Sequence, residues 1–187
     1  RRVGIMRRGE IALEYYAEGL GPADKLHIAS CTKSVLSILV GIALDRGIFP
    51  SLDAPVATYL PEIKQLDPAS PVQRITLQHM MTMTGGWQSL DSELPPFDPF
   101  DALKRPMAFE PGSMFQYDNS TSHLVGIALA RAAGVPLRSF AMHQLFDPLG
   151  IADFEWGADR YSHVFGSHRL NLRLPDMLSL GQLYIRK

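Results

Sequence analysis

Ser30 and Lys33 are the residues of this chain whose types and spacing most directly suggest chemistry. Residues three apart on a helix share one face, with Cβ atoms about 5–6 Å apart, so a Lys amine can reach a Ser hydroxyl. A neutral amine there can take the hydroxyl proton and activate a poor nucleophile. A Ser at a helix start also lies beside free backbone N–H groups that can stabilise an oxyanion. The pair predicts covalent catalysis; the alternative is an N-cap Ser and a solvated Lys.

Tyr117 and Asn119 form a second candidate pair, in the stretch "FEPGSMFQYDNSTSHLVGIAL". They lie in a glycine-containing loop directly before a predicted helix. A phenol beside a Lys ammonium can ionise and relay protons, and an Asn amide can anchor a carbonyl group. These two residues therefore extend the chemistry expected of the Ser and Lys.

The elements that must position these residues follow from periodicity. Residues 3–18 alternate as two strands joined in a tight turn at Arg8-Gly9. From Ser30 the apolar spacing becomes helical and ends at Gly47. Further helices are predicted within 53–61, 75–86, 120–134 and 136–150, and a strand near 154–156. The pattern predicts an antiparallel hairpin, a buried central helix and a mostly helical middle.

Composition limits the possible functions. The chain has 187 residues, 46% of them hydrophobic and 20% charged, which suits one globular domain. A net charge of −1 gives no basic surface, so nucleic acid is not an expected partner. The longest apolar stretch, Val35 to Leu44, is too short to cross a bilayer, so no membrane segment is predicted.

The residues quoted above resemble the serine β-lactamase and D-alanyl-D-alanine-peptidase superfamily, in particular its class C β-lactamase and esterase branch, which includes 6-aminohexanoate-dimer hydrolases. That branch carries Ser-x-x-Lys, then Tyr-x-Asn, then a Lys-Thr-Gly or His-x-Gly strand. Here "SCTK" and "YDN" match the first two motifs. The stretches "ITLQHMMTMTGG" and "RLNLRLPDMLSLGQLYI" also resemble family segments, so the similarity covers nearly the whole chain.

The resemblance implies an α/β (α+β) fold of the β-lactamase/transpeptidase type, with an antiparallel sheet flanked by helices and a mostly helical lobe. We expect one domain over residues 1–187. It would comprise the hairpin and nucleophile helix (1–47), the helical lobe (48–153) and a return towards the sheet (154–187).

The resemblance also implies roles for individual residues. Ser30 would be the acylated nucleophile and Lys33 its base, Tyr117 would share the proton relay, and Asn119 would hold Lys33 or the substrate amide. No cofactor is implied, and no pair of His residues has the spacing of metal ligands, so no metal site is predicted.

The resemblance leaves the roles of Trp87 and Gln88 open. They follow "MTGG", where the family brings a loop to the pocket rim. Substrate contact and ordinary loop packing are both open for them.

Two departures from the family pattern stand out. Asp118 replaces the small residue usual between Tyr and Asn, and alternation predicts that it points away from the pocket. The third motif, which in the family supplies an oxyanion donor and a carboxylate site, is absent.

The chain also opens without Met and ends in an unfinished helical pattern. We therefore expect a fragment whose C-terminal remainder is its partner, with any export signal upstream and a bacterial cytoplasmic or periplasmic location undecided.

Several residues are rivals for these roles or bystanders. Cys31 adjoins the candidate nucleophile but lies about 100° around the helix from it, so it does not share the Ser30–Lys33 face. His79, His123 and His143 fall within helical patterns and are expected to be core or surface residues.

Three functions compete. The first is a serine hydrolase that forms an acyl-enzyme with a small-molecule ester, amide or β-lactam. The second is a non-catalytic sensor or scaffold of the same fold, which the complete Ser-Lys-Tyr-Asn set disfavours. The third is an unrelated helical binding protein. Within the first, the wording "MTMTGGW" favours a carboxylesterase or amide hydrolase over a true β-lactamase.

Overall fold

The computed structural model describes residues 1–88 and 98–185. Its strands are β1 (Arg2–Arg7), β2 (Glu10–Tyr16), β3 (Leu26–His27), β4 (Glu155–Trp156) and β5 (Leu170–Leu172). Its helices are α1 (Cys31–Asp45), α2 (Leu77–Met81), α3 (Asn119–Ala133), α4 (Leu137–Ala141) and α5 (Leu174–Ile185). Single helical turns cover Val56–Thr58, Pro61–Gln65, Pro71–Arg74 and Pro99–Lys104, and α4 continues as a π-turn, Met142–Phe146, and a 3₁₀ turn, Asp147–Leu149.

The predicted N-terminal hairpin is confirmed. Strands β1 and β2 pair antiparallel with Arg7 opposite Glu10, so the loop is the two residues Arg8 and Gly9. Both have positive φ, 55° and 86°, as a two-residue turn of type I′ requires. One face of β1 packs against α5, where Gly4 leaves room for the Leu178 side chain.

A three-stranded sheet, in the order β3-β5-β4, holds the chain just before the candidate nucleophile. Its strands have only two or three residues each, too few for periodicity to reveal, although the strand near 154–156 was predicted. The backbone N–H of Ile28 donates to the Leu170 carbonyl at 2.9 Å, which extends the pairing to two residues before Ser30. The sheet therefore fixes where α1 begins.

Helix α1 is the buried helix that the sequence predicts. Ser30 is its N-cap residue, and Gly47, with φ of 68°, follows its last turn. Its inner face packs against α3 and the π-turn. The side chains on that face are fully buried: Val35, Leu36, Leu39, Val40 and Ala43.

Helix α3 is the second long helix of the core. The Asp118 carboxylate accepts from the Ser120 N–H at its start, and Gly134 closes it in the left-handed conformation with φ of 68°. Every residue from Ser120 to Leu129 is buried. Asn119 is therefore the first residue of a well-buried helix rather than part of a loop.

Two predicted helices of the middle region, within 53–61 and 75–86, are shorter than their patterns suggest. Thr76 caps α2 in a capping box with His79, and this helix covers five residues only. Three of the short turns, Pro61–Gln65, Pro71–Arg74 and Pro99–Lys104, start with Pro, which suits a helix start but adds no backbone donor.

Residues 83–88 run alongside 106–116 and join the middle region to the loop before α3. Five backbone hydrogen bonds join them, including Gln88 N to Pro106 O at 2.8 Å and Gln116 N to Met83 O at 2.9 Å. Gly86, with φ of 93°, is required in this ladder, since a Cβ there would lie 2.4 Å from the Phe109 carbonyl oxygen. We refer to these two runs as the rim ladder.

Among the described residues, no single helix has the length and apolar character needed to cross a bilayer. One sharply bent pair, Asn119–Ala133 with Leu137–Leu149, meets both criteria when its two helices are taken together.

Candidate active site

Ser30 lies at the start of α1 with its hydroxyl directed away from the helix. It makes no side-chain capping bond, so its Oγ is available for other partners. Ala29, immediately before it, has a positive φ of 48°, which is unusual for Ala and costs about 1 kcal/mol or more. The Ala29 carbonyl accepts from both the backbone N–H and the hydroxyl of Thr32. The first turn of α1 thus holds the strained backbone of Ala29 in place, and the Ser30 hydroxyl that follows it is exposed.

The Ser30 hydroxyl contacts both residues expected to activate it. Its Oγ lies 2.6 Å from the Tyr117 hydroxyl, 87 positions further along the chain, and either group can be the donor. Lys33 Nζ donates to the same Oγ at 3.1 Å, and lies 4.8 Å from the centre of the Tyr117 ring. The three groups form one continuous hydrogen-bonded chain.

Two further oxygen atoms hold the Lys33 amine. It donates to Asn119 Oδ1 at 2.7 Å and to the Ser167 backbone carbonyl at 2.9 Å. With Ser30 Oγ, these make three acceptors, as many as an ammonium has N–H donors. A neutral amine would keep the two carbonyl contacts and turn its lone pair to the Ser30 hydroxyl. The site can therefore hold either protonation state without losing a partner.

The Ser167 carbonyl had no signature in the sequence, because a backbone oxygen is not marked by residue type. Its position depends on Gly166, where a Cβ would lie 2.4 Å from the Ser122 carbonyl oxygen, so the chain packs directly on α3. The Gly166 N–H donates to His123 Nδ1 at 3.4 Å. Gly166 and the buried His123 imidazole thus position the Ser167 carbonyl, which is the third acceptor of Lys33.

The sequence left open whether His123 is a core or a surface residue; in the structure it is buried and has a specific set of partners. Since its Nδ1 accepts from Gly166, its Nε2 carries the proton and donates to Asp159 at 3.0 Å. Burial lowers the pKa of His123, so it stays neutral. Burial would raise the pKa of Asp159, but hydrogen bonds from His123 and His163 hold that pKa below its usual value.

Trp87 and Gln88 are adjacent but differ in exposure. The Trp87 side chain is 3% exposed, and its Nε1 donates to the Leu103 carbonyl at 3.4 Å, so its observed contacts are those of a core residue. Gln88 is exposed, and its backbone belongs to the rim ladder. Trp87 thus has the contacts of loop packing, and substrate contact by Trp87 or Gln88 stays a prediction.

Cys31, considered as a rival nucleophile, and His79 and His143, expected to be core or surface residues, lie in positions consistent with those expectations. Cys31 is an exposed free thiol. His79 belongs to the capping box of α2, and exposed His143 lies 3.2 Å from Asp147. Within the two described ranges, no group of three or more His, Cys, Asp or Glu side chains is arranged to hold a metal ion.

His168 is a titratable group beside the site that the motifs did not include. Its Nδ1 lies 2.7 Å from Ser167 Oγ, next to the carbonyl that holds Lys33. Burial lowers its pKa to about 4, and the positive charges of Arg169 and Lys33 act in the same direction. The imidazole is therefore neutral near pH 7.

We expect this imidazole to make the fold sensitive to acid. A His whose folded pKa lies below its unfolded value near 6.5 binds fewer protons when folded, so stability falls as the pH drops from about 6.5 towards 4. After allowance for solvent screening of this partly exposed group, the loss should be about 1 kcal/mol by pH 5. Urea unfolding at pH 7 and pH 5 measures it. His168→Gln should reduce the pH dependence by that amount and exposed His143→Gln should not; equal slopes for both variants would contradict the expectation.

Comparison with known proteins places this geometry in a family. Residues 2–172 match the family model described as Beta-lactamase. The chain is 30% identical over 182 residues to esterase EstB of Burkholderia gladioli, covering 80% of this chain and 45% of the esterase. It is 26% identical over 160 residues to lovastatin esterase of Penicillium rubens, covering 71% and 40%. The chain thus spans less than half the length of these curated relatives.

Solved structures share the fold at lower identity. A protein from Bacillus anthracis assigned as a 6-aminohexanoate-dimer hydrolase gives a TM-score of 0.84 at 20% identity, covering 97% of this chain and 53% of its own. D-alanine carboxypeptidase AmpC from Burkholderia cenocepacia gives 0.78 at 19%, covering 99% and 58%. The fold is therefore of the β-lactamase/transpeptidase type, with helices and small antiparallel sheets, and the chain belongs to the beta-lactamase family.

Proposed function

We propose that this chain carries the nucleophile and proton relay of a serine hydrolase, which cleaves an ester, amide or β-lactam through an acyl-enzyme. The observation that carries the proposal is the Ser30 hydroxyl, 2.6 Å from Tyr117 and 3.1 Å from Lys33. A hydroxyl with two proton-accepting groups in hydrogen-bond reach meets the geometric requirement for an activated nucleophile.

In the proposed acylation step, Ser30 Oγ forms a bond to the substrate carbonyl carbon while its proton passes to the Lys33–Tyr117 pair. The tetrahedral oxyanion would lie at the start of α1, where the helix dipole favours negative charge. The N–H groups of Cys31, Thr32 and Lys33 already donate to backbone carbonyls, so the dipole rather than these donors would provide the stabilisation at this end of the helix. The bond to the leaving group then breaks, and the same proton goes to that group. Water attacks the acyl-enzyme in the second half, with the relay taking and returning a proton in the same way.

Hydrogen-bond geometry allows two proton arrangements in this relay. In one, neutral Lys33 accepts from the Ser30 hydroxyl, which accepts from Tyr117. In the other, the Lys33 ammonium donates to Ser30, which donates to a Tyr117 phenolate stabilised by the ammonium 4.8 Å from its ring. Both use the same two hydrogen-bond contacts at Ser30 Oγ. The proposal therefore assigns the base role to the pair rather than to one member.

The substrate class that we propose is a carboxylic ester or small amide in preference to a β-lactam. Both curated relatives are named as esterases, and a structural relative is assigned as a hydrolase of 6-aminohexanoate dimer. The side chains of Met114 and Phe115, which shortly precede Tyr117 in the sequence, are apolar and exposed. Such surface favours substrates with apolar acyl or alcohol groups.

We further propose that the remainder of the domain packs against this chain. The outer face of the hairpin is apolar and exposed, and a two-stranded hairpin alone is marginal in water. The side chains on this face are Val3, Ile5, Ile11, Leu13 and Tyr15. The relatives have about twice the length of this chain, which is sufficient to supply strands or helices that cover it.

The full-length gene product tests the substrate class directly. With p-nitrophenyl butyrate, 6-aminohexanoate dimer and a chromogenic cephalosporin, we expect turnover of the ester or the amide, at kcat/KM at least about tenfold above that for the cephalosporin. Mass spectrometry after incubation with a fluorophosphonate should show one adduct per chain. Preferred hydrolysis of the cephalosporin would contradict the ester or amide assignment. Adducts without turnover of any substrate would favour the non-catalytic sensor.

A further inference from the structure

Arg105 and Asp118 form a buried ion pair beside the proton relay. An Arg105 guanidinium nitrogen donates to Asp118 Oδ2, and the two side chains are only 8% and 14% exposed. Removing one partner of such a pair leaves an uncompensated buried charge, so the two are expected to act as a unit. Neither residue belongs to the Ser-Lys-Tyr-Asn set.

The Arg105 guanidinium joins three separate parts of the backbone. Besides Asp118, it donates through Nε to the Ala102 carbonyl at 2.9 Å and through another nitrogen to the Gln88 carbonyl at 3.2 Å. The rigid fork of Arg suits such divergent acceptors, whereas the single ammonium of Lys does not. One side chain therefore ties the end of the rim ladder to the start of α3.

Asp118 uses its carboxylate for two tasks at once. One oxygen accepts from the Ser120 N–H at 2.8 Å and caps α3; the other accepts from Thr121 Oγ1 at 2.9 Å and from Arg105. A Ser at this position could serve as the cap but could not pair with Arg105. Asp118, which departs from the small residue of the family pattern, therefore both caps α3 and pairs with Arg105.

Tyr117 lies between two anchored residues. On one side, Gln116 N donates to the Met83 carbonyl at 2.9 Å, and on the other Asp118 is held by Arg105. The Tyr117 side chain is 48% exposed, so about half of its surface faces solvent rather than protein. Its 2.6 Å contact with Ser30 therefore depends on how firmly the backbone on both sides is held.

We propose that the Arg105–Asp118 ion pair is a positioning element that holds the Tyr117 hydroxyl on Ser30. The inference rests on the proposed hydrolase function. Because positional errors of about 1 Å in a catalytic group can cost a hundredfold in rate, releasing this pair should slow acylation by about ten- to a hundredfold. The effect should appear in kcat more than in KM, since the pair touches no reacting atom.

The test compares stability and acylation rate in the full-length gene product. Asp118→Ser alone should lower both, because Arg105 is left unpaired in a buried site. The double variant Arg105→Met/Asp118→Ser removes both charges, so its melting temperature should recover much of the loss. Its rate of fluorophosphonate labelling should nevertheless stay at least about tenfold low. Recovery of the rate together with the melting temperature would overturn the proposal.

A second comparison shows whether the effect acts through Tyr117. In a Tyr117→Phe background, where the phenol is already lost, the same double variant should change the labelling rate less than about twofold. A full tenfold loss in that background would also overturn the proposal. If the double variant does not fold, Arg105→Met/Asp118→Asn removes both charges, keeps a capping oxygen at position 118 and gives the same comparison.

A matched ion pair provides the control. Arg131 makes a bidentate pair with Glu62 at the other end of α3, about 18 Å along the helix from Asn119. Arg131→Met/Glu62→Gln should change the melting temperature without changing the labelling rate. Loss of all labelling in Ser30→Ala, with no effect of the Arg105 and Asp118 variants, would contradict the positioning role and leave the hydrolase intact.

Discussion

Replacing Ser30 with Ala should abolish covalent labelling of the full-length protein by a fluorophosphonate and lower ester turnover by at least about a thousandfold. The expected loss is this large because an acyl-enzyme cannot form without the nucleophile, and the remaining groups supply only binding and oxyanion stabilisation. Ser30 makes no capping bond, so the substitution should leave α1 intact. Intact-protein mass spectrometry and an ester assay measure the two effects.

Cys31→Ala is the matched control for this experiment. The Cys31 thiol is exposed and adjacent to Ser30, so it is a natural rival nucleophile. Lys33 and Tyr117 contact Ser30 Oγ, and we expect Cys31→Ala to label at close to the parent rate. A labelled peptide with the adduct on Cys31 would refute the assignment of the nucleophile.

Local geometry explains why part of the site could be predicted from the sequence. Ser30 and Lys33 are one turn apart on a helix, and helical periodicity alone brings their side chains together. The start of α1 was equally visible, because the change from alternating to helical spacing marks it. Tyr117 could not be joined to Ser30 by such a rule, since 87 positions separate them. Only the family resemblance predicted that contact.

Other parts of the site depend on features that a single sequence does not mark. The Ser167 carbonyl holds Lys33, but its place depends on the close packing of Gly166 against Ser122. The β5 strand that supports α1 has three residues, so no periodicity could reveal it. Asp118 was seen as a departure from the family, yet its partner Arg105 is 13 positions away on an irregular segment. In each case the deciding contact is tertiary.

Trp87 illustrates how position along the chain can mislead about exposure. Its place after "MTGG" suggested the pocket rim, and a large aromatic there could have contacted substrate. In the structure, the ladder of 83–88 along 106–116 turns this side chain into the core, where it is 3% exposed. Neighbouring Gln88 faces solvent instead. The direction of a side chain at a loop thus followed from long-range backbone pairing.

Lys33→Ala and Tyr117→Phe should each slow acylation by about a hundred- to ten-thousandfold, the range typical of a general acid–base group. Both substitutions break the same hydrogen-bonded chain, since Ser30 Oγ contacts the two groups at 3.1 Å and 2.6 Å. Tyr117→Phe keeps the ring near Lys33 and removes only the hydroxyl. Pre-steady-state release of p-nitrophenol from an activated ester measures the acylation rate.

The double variant Lys33→Ala/Tyr117→Phe should be about as slow as the slower single variant, rather than slower by the product of the two effects. Groups that move one proton together are lost together, so the second substitution removes little that remains. The hydrogen-bonded contacts at Ser30 require this coupling if the pair acts as one base. Lys64→Ala/Tyr16→Phe, which removes an exposed Lys and a hairpin phenol, should retain the parent rate. Fully multiplicative losses would mean that Lys33 and Tyr117 act in separate steps.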